Sequence, residues 1–136
     1  MIPRISQAPQ VSELTTEFLN TLRQNGFTGD ISSTYADRLT MATDNSIYQL
    51  LPQAVIFPRS TADVTIVARL VDEPRFHSLS LTPRGGGTGT NGQALTEGIV
   101  VDLSRYMKRI IEINPEQRWV KVEAGVIKDE LNLFLK

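Results

Sequence analysis

The sequence contains no cysteine. Disulfides, thiolate metal sites, cysteine nucleophiles and iron–sulfur ligation are therefore excluded within these 136 residues. Histidine is almost as scarce. His77 stands alone, so no histidine cluster can hold zinc, and no metal site is expected. An excess of charge is missing too: Lys plus Arg number 14 and Asp plus Glu 15, a net charge of −1. Nucleic-acid binding rests on clustered positive charge. The one basic stretch, Arg105, Lys108 and Arg109, is short and has acidic neighbours, so it reads as solvated surface and no nucleic-acid partner is expected. No apolar run approaches the roughly 18 residues that cross a bilayer. Residues 1–10 carry Arg4 but no apolar core, unlike a secretory signal. These absences fit a cytoplasmic protein, or one held at the inner membrane only through parts outside this segment.

What is present suits an ordinary folded domain, with 40% hydrophobic and 21% charged residues. Pro3 and Pro9 mark residues 1–10 as an arm. Val11, Leu14, Phe18, Leu19 and Leu22 recur at helical spacing, with Ser12 as a cap and Gly26 as a stop. Two shorter helices are expected near residues 33–39 and 44–50. The apolar run Ala54–Phe57 reads as a strand that Pro58 stops. Ser60 and Asp63 have capping-box spacing before the stripe Val64, Val67, Ala68 and Val71. Residues 79–82 read as the second strand of a strand–helix–strand unit. Residues 98–102 form a further strand, and residues 109–113 and 118–123 alternate as a hairpin across the turn Asn114-Pro115-Glu116-Gln117. Residues 126–136 read as a last helix. It carries no stop signal, which predicts a chain cut inside or just after a helix.

The run Pro83-Arg84-Gly85-Gly86-Gly87-Thr88-Gly89-Thr90-Asn91-Gly92-Gln93 holds five of the nine glycines. Each ordered glycine costs backbone entropy, and a surface turn needs only one or two. Such a run lets successive N–H groups converge on an anion and lets a bulky group lie against the backbone. Thr88, Thr90 and Asn91 add donors without negative charge. Arg84 either supplies positive charge or locks the loop by bonding carbonyls. A diphosphate needs all of these features; a flexible linker would carry serine and lack the flanking strands. Gly87 to Gly92 also satisfies G-x-G-x-x-G, the dinucleotide fingerprint that must open a helix. Too few residues separate Gly92 from the strand at Gly98 for such a helix. Glu112 has the spacing of a ribose-binding acid but falls in the hairpin. No Gly-Lys-Ser/Thr follows, which excludes a Walker loop.

Four blocks carry a resemblance: Val55-Ile56-Phe57-Pro58-Arg59-Ser60-Thr61-Ala62-Asp63-Val64, Thr82-Pro83-Arg84-Gly85-Gly86-Gly87-Thr88-Gly89, Val100-Val101-Asp102-Leu103-Ser104-Arg105 and Val122-Glu123-Ala124-Gly125-Val126. In order and spacing they resemble the PCMH-type (vanillyl-alcohol-oxidase) FAD-binding domain. Upstream, Tyr35-Ala36-Asp37 and Thr43-Asp44-Asn45-Ser46-Ile47-Tyr48 are similar to the lead-in of FAD-linked D-2-hydroxyacid dehydrogenases. Gly89-Thr90-Asn91-Gly92-Gln93 resembles the large bacterial members that carry a C-terminal iron–sulfur half.

The resemblance implies an α+β fold, with N-terminal helices and a small mixed sheet forming the first subdomain. It divides the chain into a lead-in, 1–50, and a truncated FAD-binding domain, 51–136. Arg84, Gly85, Gly86, Gly87, Thr88, Gly89, Thr90, Asn91 and Gly92 would wrap the FAD diphosphate, and Pro58 would lie near the adenosine end. The parent would oxidise a small D-2-hydroxy acid, such as lactate, glycolate or 2-hydroxyglutarate, by hydride transfer to FAD, and pass electrons to a further carrier. Members that attach FAD covalently through this loop have histidine where this chain has Thr88, so non-covalent FAD is expected. An iron–sulfur cluster, if present, belongs to the missing C-terminal part. No catalytic residue is assigned within the chain. His77 reads as a solvent-facing turn residue. The segment alone is expected to bind FAD weakly and to be inactive. Two other readings stand beside this one: another enzyme of the same fold, such as an alcohol oxidase or an enolpyruvyl nucleotide-sugar reductase, and a non-catalytic nucleotide-binding module.

Overall fold

The structure, a computed structural model, describes residues 10–136. The expected arm therefore lies outside the described residues apart from Gln10. Helix α1 (Glu13–Gln24) starts where the Ser12 hydroxyl accepts the Thr15 N–H at 3.1 Å, and the chain turns away at Gly26, φ +82°. The Gln53 side-chain oxygen accepts from Ser12 N at 2.8 Å, which ties this helix start to the chain just before Ala54. Strand β1 (Asp30–Ser32) and helix α2 (Tyr35–Thr40) follow, with Thr34 capping α2 through the Asp37 N–H.

Strand β2 (Ala54–Phe57), helix α3 (Thr61–Val71), a 3₁₀ turn (Pro74–Phe76), and strands β3 (Leu81–Arg84) and β4 (Ile99–Asp102) complete a four-stranded sheet of order β1-β2-β4-β3. β2, β4 and β3 are parallel, and β1 runs antiparallel on the β2 side. The strand–helix–strand unit exists, but its strands are not neighbours: β4 lies between them. Composition explains the order. Every residue of β2 and β4 is buried, as a central strand with both faces covered requires. β3 contains Pro83, which has no N–H for a second ladder, so it takes the edge.

Helices α1 and α3 cover one face. Phe18, Leu22, Val67, Leu70 and Phe76 pack there on Ile56, Ile99 and Val101, and the Phe18 and Phe76 rings meet edge to face at 5.2 Å. Each such fully buried side chain contributes about 1.5–3 kcal/mol. Ser60 caps α3 by accepting the Asp63 N–H. The buried Asp63 carboxylate accepts from Arg59 N and Thr28 N, each at 2.8 Å, and so joins α3 to the turn before β1 instead of closing a reciprocal capping box. On the other face Met41 and Tyr106 pack on Val55, Phe57 and Val100, and buried Arg38 of α2 donates to the Pro52 carbonyl at 2.6 Å.

Two further expectations need correction. Residues 44–50 form no helix. Asp44 Oδ1 accepts the Ser46 N–H at 2.8 Å, and Thr43 bridges Gln49, so an Asx turn displaces helical bonding. The second strand begins at Leu81, two positions later than expected. Strands β5 (Ile110–Asn114) and β6 (Trp119–Val122) form the expected hairpin, with Arg118 at φ +56° in its turn. The alternation over residues 118–123 puts Trp119, Lys121 and Glu123 on one side; Trp119 and Lys121 are exposed, but Glu123, just past the end of β6, is buried. Its carboxylate accepts from Arg109 Nη2 at 2.7 Å, Nε at 2.9 Å and the backbone N at 2.8 Å. These bonds hold Glu123 below the usual carboxylate range. Helix α4 (Lys128–Phe134) buries no residue.

Candidate functional site

The parallel strands β2, β3 and β4 point the same way, so their C-terminal ends form one edge, where open α/β sheets take ligands. Three segments leave it: Pro58-Arg59 after β2, the glycine loop after β3, and the turn Leu103-Ser104-Arg105-Tyr106 after β4. The structure thus brings Pro58 and the loop residues 84–92 to one edge. Pro58 is buried there, whereas the loop is mostly exposed. No helix forms between Gly85 and Gly98, as the short interval requires.

The loop's backbone is unusually free. Among the described residues, no protein acceptor takes the N–H of Gly85, Gly86, Gly87, Thr88, Gly89 or Thr90. Backbone donors are satisfied almost without exception in folded proteins, so this row faces water or a ligand. A Cβ on Gly85 would meet nothing within 4 Å. Gly87 and Gly92 adopt φ +65° and +76°, which other residues rarely do. Asn91 N–H is already taken by Gln93 Oε1 at 2.9 Å.

Arg84 does not extend outward. Its Nη2 donates to the Thr43 carbonyl at 2.9 Å, and its Nη1 is shielded from solvent with no partner. Of the two roles the sequence leaves open for it, the observed bond is the carbonyl lock. Asp44 lies beside it with Oδ2 also shielded and unpartnered. Hydrogen bonds from Ser46, then the Arg84 charge, keep Asp44 below the ordinary carboxylate range against the opposing effect of desolvation. Thr43, Asp44 and Tyr48, whose Cδ2 would stand 3.2 Å from a Cβ on Gly92, thus adjoin the candidate loop, which the residue pattern alone did not reveal. The signal was the Asp44-Asn45-Ser46 turn, read as a helix.

At the β2 and β4 ends, Asp30 accepts from the Tyr106 hydroxyl and pairs with Arg59 at 3.2 Å and Arg105 at 3.4 Å. The Tyr106 bond is the main reason that Asp30 titrates below its ordinary range. Arg105 stacks 3.6 Å from the Phe57 ring centroid, so this residue of the basic stretch is part of a packed cluster rather than simply solvated. His77 is exposed, and its Nε2 lies 2.8 Å from the Asp72 carbonyl, away from the loop. A cleft of about 540 Å³ opens at the opposite, N-terminal edge, lined by Gln53, Ser80, Glu97 and Gly98 among others. It has an acid and no cation, so it does not suit a diphosphate. The loop does: free donors, open glycine backbone and a nearby guanidinium fit the phosphate part of FAD.

Residues 52–136 match the family described as FAD binding domain. The chain belongs to the FAD binding domain family. The whole chain is 70% identical to the D-2-hydroxyglutarate dehydrogenase of Escherichia coli (strain K12) and covers 13% of that protein. It is 52% identical to the Haemophilus influenzae protein of the same name, again covering 13%. Over 81 residues it is 38% identical to the glycolate oxidase subunit GlcD of Bacillus subtilis, which is 59% of this chain and 17% of that one. The chain thus spans about one eighth of the first two relatives. Two solved structures share the fold. Alkyldihydroxyacetonephosphate synthase superposes with TM-score 0.78 at 17% identity, over 99% of this chain and 27% of that chain. p-Cresol methylhydroxylase does so with TM-score 0.72 at 16% identity, over 92% and 25%. The α+β architecture and the FAD-binding family implied by the sequence blocks are therefore borne out. Among the described residues, no helix is long and apolar enough to cross a membrane.

Proposed function

We propose that the chain forms the diphosphate-binding wall of a flavoenzyme that oxidises a D-2-hydroxy acid, with 2-hydroxyglutarate the first substrate to test. The observation that carries the binding part is the row of unused N–H groups on residues 85–90 at the C-terminal edge of the parallel sheet. Gly85 and Gly86 let the diphosphate lie against the backbone. The side chains of Thr88, Thr90 and Asn91 add neutral donors, Gly89 and Gly92 carry the loop back toward β4, and Arg84 braces the loop at its root through the Thr43 carbonyl. Pro58, Ser104 and the Asp30–Arg59–Arg105–Tyr106 cluster shape the far end of the edge, where the adenosine half lies. Bound FAD supplies the hydride acceptor for the hydroxy acid. The substrate class rests on the names of the relatives above.

FAD is held without a covalent bond, because Thr88 offers no nucleophile comparable to a ring nitrogen. The test uses the full-length protein that contains this segment. It is expected to purify yellow, to release all flavin on denaturation, and to reduce the flavin fastest with D-2-hydroxyglutarate among 2-hydroxyglutarate, lactate and glycolate. Colour retained by the denatured chain would overturn the non-covalent assignment. Reduction by none of the three acids would overturn the substrate class.

A further inference from the structure

Segment 43–48 lies upstream of residues 52–136, yet it touches the glycine loop at three places. Arg84 Nη2 bonds the Thr43 carbonyl at 2.9 Å. A Cβ on Gly89 would stand 3.5 Å from Asp44 Oδ2, and one on Gly92 would stand 3.2 Å from Tyr48 Cδ2. The guanidinium also lies flat against Gly87: the Cβ position there is 2.3 Å from Nη2, 2.7 Å from Cζ and 3.0 Å from Nε. Gly87 is therefore a glycine because Arg84 occupies its side-chain space, in addition to its left-handed φ. An arginine folded beneath its own loop is poorly placed to reach past the loop to a ligand. Asp44 carries the counter-charge, and the two shielded atoms, Nη1 and Oδ2, both lie at this junction. Segment 43–48 is itself braced by the Thr43–Gln49 bridge and by Leu50 N–H donating to the Ala42 carbonyl at 3.0 Å.

We propose that segment 43–48 is the back wall of the diphosphate loop, and that Arg84 is a positioning residue that locks the loop to it with Asp44 as counter-charge. The inference rests on the reading of residues 85–92 as the diphosphate loop. Free, a five-glycine loop samples many conformations, and ordering it on binding would weaken affinity. The lock removes that loss by holding the N–H row in place beforehand. Arg84 thus acts through Gly87 and Gly89 rather than by contact with phosphate.

The test turns on a sign. If Asp44 merely sat near the diphosphate, Asp44→Asn would remove a repulsive charge and tighten FAD. If Asp44 serves the lock, the same change loosens it. Full-length protein stripped of FAD is titrated with FAD and, separately, with ADP, which shares the diphosphate; melting temperature is recorded for each variant. Asp44→Asn is expected to weaken both ligands about tenfold, as coupling within one cluster of groups does. Arg84→Gln is expected to weaken them similarly, and the double variant no further than either single one. Equal or tighter binding by Asp44→Asn, or fully additive losses in the double variant, overturns the lock. If Arg84→Gln fails to fold, the Asp44→Asn result alone decides. Wild-type protein that takes up FAD while losing no affinity in Asp44→Asn sinks the lock only; wild-type protein that takes up no FAD sinks the underlying reading and the lock with it.

Discussion

At the N-terminal edge of the parallel strands, a Cβ on Gly98 would stand 2.1 Å from the Ser80 carbonyl oxygen. At the C-terminal edge, a Cβ on Gly85 would meet nothing within 4 Å. Gly98 is closed in by the fold: Ile99 N–H donates to Ser80 O at 2.8 Å and Gln53 N–H to Gly98 O at 2.7 Å, so three strands start within touching distance. Gly85 has free backbone on an exposed surface. The same residue type thus serves packing at one end of the sheet and, on the proposed function, recognition at the other. Counting glycines cannot separate the two uses; what surrounds the missing Cβ can.

The largest expected effect follows from the closed edge. Gly98→Ala forces a methyl into a backbone carbonyl and is expected to cost about 3 kcal/mol of stability, visible as a large drop in melting temperature. A change of under one degree would break the comparison, because Gly98 would then not be a packing glycine.

The two edges also divide what was legible in the sequence. The central strands Ala54–Phe57 and Ile99–Asp102 were readable because their apolar runs are short and bounded by Pro58 and Gly98. α1 and α3 were readable from Ser12 and Ser60. The loop was readable as a loop because five glycines in one stretch suit neither a helix nor a strand. Strand order was not, since local pattern does not say that β4 inserts between β2 and β3. Nor was the place of Thr43 and Asp44: the Thr43–Arg84 bond spans 41 residues, and the nearby apolar residues Ile47 and Leu50 imitate a helix while being exposed. Glu123 was placed on the wrong side because a partner, Arg109, overrode the alternation.

A smaller effect is expected from acid. Asp30, Asp37 and Asp44 titrate below their ordinary value of 3.8 in the folded chain. The Tyr106 hydrogen bond is the leading cause for Asp30, and hydrogen bonds from Ser32 and Ser46 are the leading causes for Asp37 and Asp44. A depressed carboxylate adds stability that is complete above its unfolded value and drains away as pH falls through the folded one. Melting temperature is therefore expected to hold from pH 7 to about 5 and to fall steadily below 4. Asp30→Asn is expected to flatten part of that fall. An identical acid profile in Asp30→Asn would remove the Asp30–Tyr106–Arg59–Arg105 cluster from the account of the C-terminal edge.

The smallest effect is expected at His77, an exposed residue of the turn between α3 and β3, away from the C-terminal edge. His77→Gln is expected to change stability by less than about 0.5 kcal/mol, as surface substitutions do, and to leave FAD affinity unchanged. A loss of affinity there would show that the site extends well beyond the C-terminal edge.

The most direct test of the central claim, that the open glycine backbone of residues 85–92 holds the FAD diphosphate, is Gly85→Ala in the full-length protein with two readouts. Melting temperature of the FAD-free form is expected to match wild type, because the new methyl meets no protein atom within 4 Å. FAD affinity is expected to fall about tenfold or more, because the methyl takes space that the diphosphate uses. Unchanged FAD affinity at unchanged stability would contradict the claim and move the diphosphate elsewhere on the protein.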